Sequence, residues 1–504
     1  MSSPLPRLFP LLQLTVLVAF SLGLVRAAEN PANAPGTLTL QECIGRALQH
    51  NFDLQIQGYS TSNAVQTLAG SQADYDPSFT LSASKSASRA DVPSTQLVGT
   101  ESDNFSTRIG VTQKITSGAT VNLSSSLDRS ATNNPYATLN PAYNADVALS
   151  VRQPLLKNAG AAVNRAAIRR AELGVDIANL NYKARLLQVV RDTESAYYDL
   201  VFAREQLKVR RHSLALAEKL YDENLARKNT GVATDLDVLQ AEVGVASARN
   251  NVLLAEQSAR DAQDRLLNLI GQFQFDDNVG EVGMPDFNGI HVDFATSYQL
   301  ARDNQPDYIA TEHSIRQYEI DVNAARRNRL PSLDLGGALG YNARDNSAHD
   351  AFNRVPNGDG YSWQVDLSLT VPWGMRGDKA RYFTARNNLM REQTRLRQLE
   401  QNIMVQVRAA VRSVETNLES VAISAQGTAL SERQYELERA RFDAGLSTSR
   451  RVLEAQDDLE RARVAELQAR VNLRKAISEL HRLEGSSLET YDIAIAETAP
   501  AVNG

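Results

Sequence analysis

Two tracts of the chain have the apolar spacing of long helices. Proline is absent from residues 155–284 and 373–499, although it is frequent in the stretches before each tract. Because proline disrupts a helix interior, these two tracts are the candidates for long helices. Apolar residues recur in them at heptad spacing, as at Leu173, Leu180 and Leu187. A period near 3.5 residues predicts coiled-coil-like packing between neighbouring helices.

Each tract is interrupted once by the same motif. Residues 229–242 return as residues 443–456, so that Gly231 matches Gly445 and Thr234 matches Thr448. The glycine can end one helix in a left-handed conformation, and the threonine can cap the next helix. The sequence therefore predicts two helical hairpins, whose first arms of about 70 residues are on the order of 100 Å long.

Between the helical tracts the apolar period changes to two, which predicts β-strands. The alternating segments are Phe79–Ala83, Phe105–Val111, Val121–Ser125, Ala145–Val151, Leu333–Leu335 and Trp363–Val371. Segments of this kind, separated by polar loops, are typical of outer-membrane strands, although an ordinary periplasmic sheet shows the same alternation. Loops 89–104 and 128–141, rich in polar residues, and aromatic residues near strand ends favour the membrane interpretation.

The helical motif and the opening segments of the two halves correspond, so the chain is one unit duplicated. The predicted organisation is a signal peptide (1–27), a linker (28–37), a first repeat (38–271), a linker or equatorial region (272–292), a second repeat (293–485) and a flexible tail (486–504).

An export signal is predicted at the N-terminus. Arg7 precedes the apolar run 8–25, and Ala27 ends a plausible cleavage site. A membrane anchor is the competing interpretation, since about 18 apolar residues nearly cross a bilayer. The polar segment 29–36 that follows favours cleavage, and no later run is long enough for a transmembrane helix.

The number of strands bears on assembly. Four to six strands per chain cannot close a membrane barrel, for which about eight are needed. Open strand edges are not tolerated in lipid. If the strands lie in a membrane, several copies of the chain must therefore share one barrel.

Across residues 38–485 the chain resembles the TolC-like outer-membrane efflux channels. The resemblance rests on an ordered set of segments: 38–54 as the opening helix, Leu330–Leu333 as the helix-to-strand transition, Gln153–Leu155 and Val371–Trp373 as the returns into the long helices, and the duplicated Gly-x-x-Thr-x-x-x-Val-Leu turn as the hairpin tips. It implies an α+β homotrimer with a shared antiparallel β-barrel in the outer membrane and an α-helical barrel in the periplasm.

The resemblance also implies a function and partners. The trimer would be a passive exit channel of a tripartite efflux or type I secretion system, served by a periplasmic adaptor and an inner-membrane pump and embedded in outer-membrane lipid. The alternative is a secreted coiled-coil scaffold without a pore. Fractionation separates the two hypotheses, because only the channel would need detergent for extraction.

The chain departs from this family in its first repeat. Pro77 and Pro154 are 36 residues further apart than Pro331 and Pro372, and the excess predicts an additional hairpin over about 104–129, turning at Ser117. The resemblance implies roughly 12 membrane strands per trimer, and the insertion could raise the number to about 18 or stand outside the bilayer.

The resemblance also points to candidate functional residues in three groups. The hairpin tips that would dock an adaptor are Thr230, Gly231, Val232, Ala444, Gly445 and Leu446. Candidates for a charged entrance gate are Asp235, Asp237, Arg450, Arg451 and Glu454, of which Arg451 and Glu454 match acidic positions in the family. Ion pairs between the two hairpins, such as Asp237 with Arg451, could act as a latch that holds this entrance closed. Candidate membrane-interface aromatics are Tyr361, Trp363 and Trp373.

Composition adds mostly exclusions. The formal charge of −6 argues against a nucleic-acid partner, and the single cysteine, Cys43, cannot form an internal disulfide. The six histidines lack metal-ligand spacing, and no nucleotide-binding, nucleophile-elbow or zinc-protease motif is present. Gly336–Gly340 lies in an alternating segment, so strand residues are a better interpretation than a phosphate loop. The sequence therefore predicts no enzyme activity and no cofactor.

Overall fold

The structure is a computed structural model that describes residues 38–91, 99–271, 282–283, 292–358, 360–491 and 493. The predicted signal peptide, the first linker and most of the linker 272–292 lie outside these residues. Within them the chain forms long helices and one antiparallel sheet, as an α+β fold. The helical hairpins and strands expected from the periodicity are all present.

The main helices of the two repeats follow the same order. The short helices differ, because one precedes the long arm of the first repeat and the other lies between the two strands of the second. The first repeat contains α1 (Leu40–His50), α2 (Phe52–Ala73), α3 (Ala161–Asn164), α4 (Ala166–Asn229) and α5 (Asp235–Leu269). The second contains α6 (Phe294–Asn304), α7 (Pro306–Arg327), α8 (Ala348–Arg354), α9 (Arg376–Asp443) and α10 (Ser449–Glu484), and α11 (Ser487–Thr490) follows. The first arms, α4 and α9, have 64 and 68 residues, so each is about 100 Å long.

All six strands belong to one sheet. They are β1 (Ser78–Arg89), β2 (Glu101–Lys114), β3 (Thr120–Thr132), β4 (Ala142–Pro154), β5 (Ser332–Asp345) and β6 (Gly360–Thr370). The spatial order is the chain order, every pair is antiparallel, and β1 and β6 are the two edges. The predicted additional hairpin is therefore β2 and β3, which lie inside the sheet between β1 and β4.

The turn of the additional hairpin lies at the helical end of the sheet. Residues 115–119 connect β2 to β3, and the Ser117 carbonyl accepts a hydrogen bond from the amide of Gly160, just before α3. The strand ends Arg89, Glu101, Thr132 and Ala142 lie at the opposite end of the sheet, called here the loop end. A partly buried ion pair between Lys157 and Asp378, 3.1 Å apart, joins the return from β4 to the start of α9.

The long helices form a layer in which each element has defined neighbours. Near the tips the order is α5, α4, α10, α9, because α4 packs against α5 and α10, and α10 packs against α9. Near the sheet, α2 packs on α4, and α7 lies between α4 and α9. The described chain therefore has one flank formed by α2 and α5 and another formed by α9.

Each repeat has its own hydrophobic core. The first surrounds Val189, Tyr197 and Leu200 of α4, and the second surrounds Ile403, Val411 and Val414 of α9. These residues match at the offset of 214 that also relates Gly231 to Gly445. The duplication therefore extends from the turns to the cores.

One expectation about the C-terminus is wrong for its first residues. The sequence predicted a flexible tail from residue 486, but residues 487–490 form α11. Leu488 is buried in the first hydrophobic core, and removal of this apolar side chain from water holds the segment against α4. Apart from residue 493, the chain beyond Tyr491 lies outside the described residues.

Candidate functional site

The two faces of the sheet differ completely in chemistry. The strand pairings contain no irregularity, so all odd-numbered strand residues lie on one face and all even-numbered residues on the other. The odd-numbered face, called here the apolar face, carries Phe79, Leu81, Ile109, Val111, Leu123, Leu149, Val151, Leu335, Leu339, Trp363, Val365, Leu367 and Leu369. Most of these side chains are exposed, which is costly in water.

The even-numbered face, called here the polar face, carries no aromatic residue and no large aliphatic residue. Its positions are occupied by Ser, Thr, Asn, Gln, Gly and Ala, by Pro154 at the end of β4, and by charged residues. The charged residues are Arg108, Lys114, Arg152, Arg344, Asp128, Asp146, Asp334 and Asp366. Basic and acidic side chains are thus equal in number, and the face is hydrophilic without a strong net charge.

The apolar face ends in a polar zone at the loop end of the sheet. Asp103 lies 3.3 Å from Arg129 and 3.9 Å from Lys85, and Arg354 lies 3.0 Å from Asp345. The short helix α8 also packs on this end, where its Ala351 contacts the zone around Ala145. The apolar band is therefore confined to the part of the sheet between this polar zone and the helices.

The predicted interface aromatics lie at opposite ends of the β6 edge. Tyr361 and Trp363 are exposed on the apolar face near the loop end of β6. Trp373 follows β6 at the helical end, in a 3-10 turn (373–375), and its side chain is fully exposed. The three side chains thus mark both ends of the apolar band.

The glycine at each hairpin tip has the predicted geometry in both repeats. The predicted threonine cap forms only in the first repeat, where the Thr234 hydroxyl accepts a hydrogen bond from the Asp237 amide, and Thr448 makes no such side-chain bond. Gly231 and Gly445 have φ of 78° and 75°, in the left-handed region. The amide of Val232 donates to the Arg227 carbonyl (2.9 Å), and that of Leu446 donates to Arg441 (2.8 Å). This is the Schellman arrangement that ends a helix at glycine. It leaves Val232 and Leu446 projecting from the tips, 76% and 72% exposed.

The predicted gate residues make local contacts within one protomer. Asp237 accepts hydrogen bonds from the amide and hydroxyl of Thr234, and these bonds hold the pKa of the Asp237 carboxyl below its usual value. Asp235 forms an ion pair with Lys228 across the turn. Arg450 lies 2.9 Å from Glu454 on the same helix.

The suggested latch between Asp237 and Arg451 does not form inside a single chain. Among the ion pairs of the described residues, none joins these two side chains, because Asp237 is engaged in capping α5. The entrance residues therefore remain candidates only for contacts between copies of the chain.

Other residues, which the sequence pattern did not reveal, join the two hairpins. Arg439 contacts Glu223 at 2.6 Å, and the Arg227 guanidinium lies 4.1 Å from the ring centroid of Phe442. The buried Ser449 hydroxyl donates to the Asn224 side chain at 2.8 Å. These contacts connect residues more than 200 positions apart, so no local signal could have identified them.

The flanks of the helical layer carry exposed apolar stripes. On α9, Phe383, Met390, Val405, Ile423, Leu430 and Leu437 share one face, largely at heptad spacing, and each is more than half exposed. On the other flank, the exposed residues are Phe52, Ile56 and Tyr59 of α2 and Leu236, Leu239, Val243, Leu253 and Leu254 of α5. Heptad stripes of this kind pack against helices, and the described chain supplies none to cover them.

Buried titratable groups occur in the first core. Glu194 of α4 is buried, and desolvation raises the pKa of its carboxyl to about 7 despite a hydrogen bond with Tyr491 and the charge of Arg474. Among the described residues, no group of three or more His, Cys, Asp or Glu side chains is placed to hold a metal ion. No helix in the described part of the chain has an apolar stretch sufficient to cross a lipid bilayer.

Comparison with known proteins identifies relatives of both repeats. The sequence profile of the outer membrane efflux protein family matches residues 119–272 and 297–486. The chain is 24% identical over 304 residues to toxin and drug export protein A of Aggregatibacter actinomycetemcomitans, covering 58% of this chain and 62% of that protein. It is 27% identical over 302 residues to the pyoverdine export outer membrane protein OpmQ of Pseudomonas aeruginosa, covering 58% and 61%. The matched part is less than two thirds of the length of either relative.

Solved structures show the same fold over most of the chain. The outer-membrane channel OprN superposes with a TM-score of 0.67 at 17% identity, covering 89% of this chain and 90% of that one. The CmeC outer membrane channel of Campylobacter jejuni superposes with a TM-score of 0.66 at 18% identity, covering 89% and 86%. Since the family profile matches most of the chain, in both of its repeats, the chain belongs to the outer membrane efflux protein family.

Proposed function

We propose that this chain is the exit channel of a tripartite export system, in which three copies form one passive duct. As a member of the outer membrane efflux protein family, it has its place in the outer membrane. A periplasmic adaptor and an inner-membrane pump would deliver solutes to its helical end. The proposal takes the number of copies from the family resemblance.

The observation that carries the proposal is the two-faced sheet with two unpaired edges. An apolar face more than 60% exposed at residues such as Phe79, Leu81 and Leu367 is stable only against lipid or another apolar surface. Lipid also requires every backbone hydrogen bond to be satisfied, so β1 and β6 must find partners. Pairing β6 of one copy with β1 of the next supplies them and leaves the polar faces around a water-filled lumen.

The helical flanks support the same arrangement. Because β1, α2 and α5 lie on one side of the protomer and β6 and α9 on the other, the two flanks can be joined along the whole molecule. The contact joins two different surfaces, so it generates a ring or an open helix rather than a twofold dimer. A closed ring covers every apolar stripe, including Ile423 and Leu430 on α9 and Val243 on α5.

The alternative of a secreted coiled-coil scaffold gives no role to the apolar face of the sheet. Fractionation and bilayer recording distinguish the two functions. We expect the protein to be extracted from outer membranes only by detergent, with the mass of three chains, and to form discrete ion-conducting pores. A salt-soluble monomer that retains its strand signal would exclude the shared duct.

We propose that the hairpin tips dock the adaptor. Val232 and Leu446 project from rigid turns, and a Cβ added at Gly231 or Gly445 would meet nothing within 4 Å. Combining Val232→Glu with Leu446→Glu should abolish adaptor crosslinking and export while the trimer persists. Val232→Leu with Leu446→Val is the matched control, because it keeps the tips apolar. Normal export by the charged variant would contradict docking at these tips.

We propose further that charged residues at the tips tune the entrance. In a trimer, each of Asp235, Asp237, Arg450, Arg451 and Glu454 becomes a ring of three, and charged rings in narrow pores set ion preference. Arg451→Glu should raise conductance and cation preference in bilayer recordings, because it adds three acidic groups to those of Glu454. Arg451→Gln should have a smaller effect of the same sign. Unchanged conductance and selectivity in both variants would assign these residues to the solvated surface.

A further inference from the structure

The additional hairpin of the first repeat widens the proposed duct. Strands β2 and β3 have 14 and 13 residues, similar to the 12 of β1 and the 13 of β4, and they pair along their whole lengths. They continue both faces of the sheet, with Ile109 and Leu123 on the apolar face and Arg108 and Ser124 on the polar face. The hairpin is therefore part of the wall and not an appendage of a loop.

The orientation of the hairpin is that of a membrane-spanning pair. Its turn, residues 115–119, is short and lies at the helical end, and the connections 90–100 and 133–141 at the opposite end are longer. Short turns on the periplasmic side and longer loops outside are the rule in outer-membrane sheets. The turn is also anchored, since Gly118 has φ of 96° and lies close to the Asn158 carbonyl.

Three six-stranded sheets closed into a ring give eighteen strands. With strands about 4.8 Å apart and tilted by about 40°, the backbone diameter is roughly 36 Å, against roughly 24 Å for twelve strands. Side chains on a sheet face project by about 5 Å, half the usual spacing of packed sheets, which leaves lumens of about 26 Å and about 14 Å.

The lining is suited to large hydrophilic solutes. All side chains longer than Asn on the polar face are charged apart from Gln364, and the four basic and four acidic residues balance. Gly336, Ala338 and Gly340 line β5, and serine occupies five of the six even positions of β1 between residues 78 and 88. The face offers hydrogen-bonding groups, and it carries no aromatic ring or large aliphatic side chain on which an apolar solute could adsorb.

We infer that the duct is built for bulky hydrophilic solutes, wider than a twelve-stranded exit would admit. The inference rests on the proposed channel function and adds to it the chemical class and size of the cargo. In this inference, the width of the duct is set by β2 and β3, which have no counterpart in the described second repeat.

Cysteine labelling from outside intact cells measures this width. Ser82→Cys places a thiol on the polar face of β1, and Leu81→Cys places one on the apolar face next to it. The native chain is the unlabelled control, because Cys43 is its one cysteine and burial raises the pKa of that thiol to about 12. The probes are maleimide conjugates of a neutral water-soluble polymer, graded in width to bracket the two lumens of about 14 and 26 Å.

The comparison chain lacks residues 101–133, so that β1 is followed by β4 through a loop. We expect Ser82→Cys in the full chain to react with polymers of about 20 Å and the same residue in the shortened chain to react only with those below about 14 Å. Equal size limits in the two chains overturn the inference. If the shortened chain fails to assemble, the full chain still gives a test. Failure of polymers of about 20 Å to label Ser82→Cys in the full chain would by itself overturn the inference.

The same labels test the channel function separately. If Ser82→Cys resists even the smallest charged maleimide while Leu81→Cys reacts, the polar face does not line a duct and the proposed function fails. If Ser82→Cys reacts with small probes and not with wide ones, the channel stands and the width inference fails. Labelling of Ser82→Cys by small and wide probes, with Leu81→Cys unreactive, supports both.

Discussion

The two helical hairpins have the same turn but different neighbours. Gly231 and Gly445 share one backbone conformation, and Thr234 and Thr448 precede the second arms at matching positions. Yet Leu239 of α5 is 56% exposed, whereas its counterpart Leu453 packs into a small core with Val452 and Phe442. The difference arises because α10 lies between α9 and α4, and α5 lies on the flank.

This comparison shows which part of the fold a single chain completes. Some apolar positions are covered in one repeat and exposed in the other. At these positions we expect another chain to cover the exposed side chain. The strands show a second asymmetry, since the first repeat contributes four strands and the second contributes two. The duplicated helices thus explain the arrangement of the helical layer. In the proposed assembly, the departures from symmetry are the surfaces at which copies would meet.

The largest expected effect comes from charging the α9 flank. Leu430→Glu combined with Leu437→Glu should prevent assembly. Burial of each leucine side chain would contribute about 1.5–3 kcal/mol to every interface of the ring, and the charged side chains would lose this contribution. Mass determination in detergent should then give single chains. Leu430→Met with Leu437→Met is the control, since it preserves volume and apolar character. Intact trimers in the charged variant would remove α9 from the interface.

The opposite flank should behave in the same way. Val243→Glu with Leu254→Glu on α5 is expected to dissociate the assembly, since both side chains are exposed in the protomer. Asp457 occupies the position of the second repeat that matches Val243, and it does not lie in the proposed interface. Asp457→Asn should therefore leave an assembly with the mass of three chains. If the α5 variant assembles normally, the ring is not closed through α5 and α9.

The two cores should differ in their response to pH. Glu194 in the first core has a pKa raised to about 7, whereas the matching residue of the second core is Arg408, which lies 5.0 Å from the ring centroid of Phe294. An acid with a raised folded-state pKa binds more protons when folded, so its stability contribution is present below pH ~4.5 and lost as pH rises through ~7. The loss should reach about 3 kcal/mol, because a pKa shift of one unit corresponds to about 1.4 kcal/mol.

Thermal unfolding at several pH values checks this expectation. Glu194→Gln should flatten the decline between pH ~4.5 and ~7, because glutamine fills the same space without titrating. Arg408→Gln is a control that should leave this decline in place. A slope unchanged by Glu194→Gln would show that the carboxyl does not control stability in this range.

Substitutions at Ser449 and Asp235, which match in the duplication, should have smaller and unequal effects on stability. Ser449→Ala leaves the buried Asn224 oxygen without its hydroxyl donor and should cost about 1–2 kcal/mol. Asp235→Ala removes an exposed ion pair with Lys228 and should cost less than about 0.5 kcal/mol. The thermal midpoints of the two variants give the comparison, and equal shifts would contradict it.

The smallest difference between the two hairpins is expected at the turn glycines, where the two costs should agree. Gly231→Ala and Gly445→Ala should each cost about 1 kcal/mol, because alanine is strained at positive φ although space for its Cβ is available. Asn tolerates this conformation better, so Gly→Asn at either site should cost less. Thermal unfolding checks both pairs. Markedly unequal costs would show that one tip is held by contacts beyond its own turn.

Much of the fold could be predicted from the sequence, because its signals are local. The gaps in proline, the heptads and the repeated glycine turn located α4, α5, α9 and α10, and the alternation located the strands. The excess of residues between Pro77 and Pro154 located the additional hairpin. Each of these signals depends on residues close together in the chain, where periodicity and turn preference act directly.

The contacts between repeats could not be predicted in the same way. Charge and spacing suggested a pair of Asp237 with Arg451, but Asp237 bonds to Thr234, three residues away, at lower entropic cost. The contact of Ser449 with Asn224 and the exposure of Leu239 depend on which helix lies beside which. The order of helices in the layer decides that, and amphipathic spacing alone does not specify it.

In the proposed assembly, three chains close one ring by joining β6 and α9 of each copy to β1 and α5 of the next. Electron cryomicroscopy of the detergent-purified assembly tests it most directly, because it shows the strand order around the sheet. We expect a threefold ring of eighteen strands, with each β6 antiparallel to the neighbouring β1 and the polar face inside. A twofold assembly with β1 paired to β1, or a ring with β2 and β3 outside the wall, would contradict it.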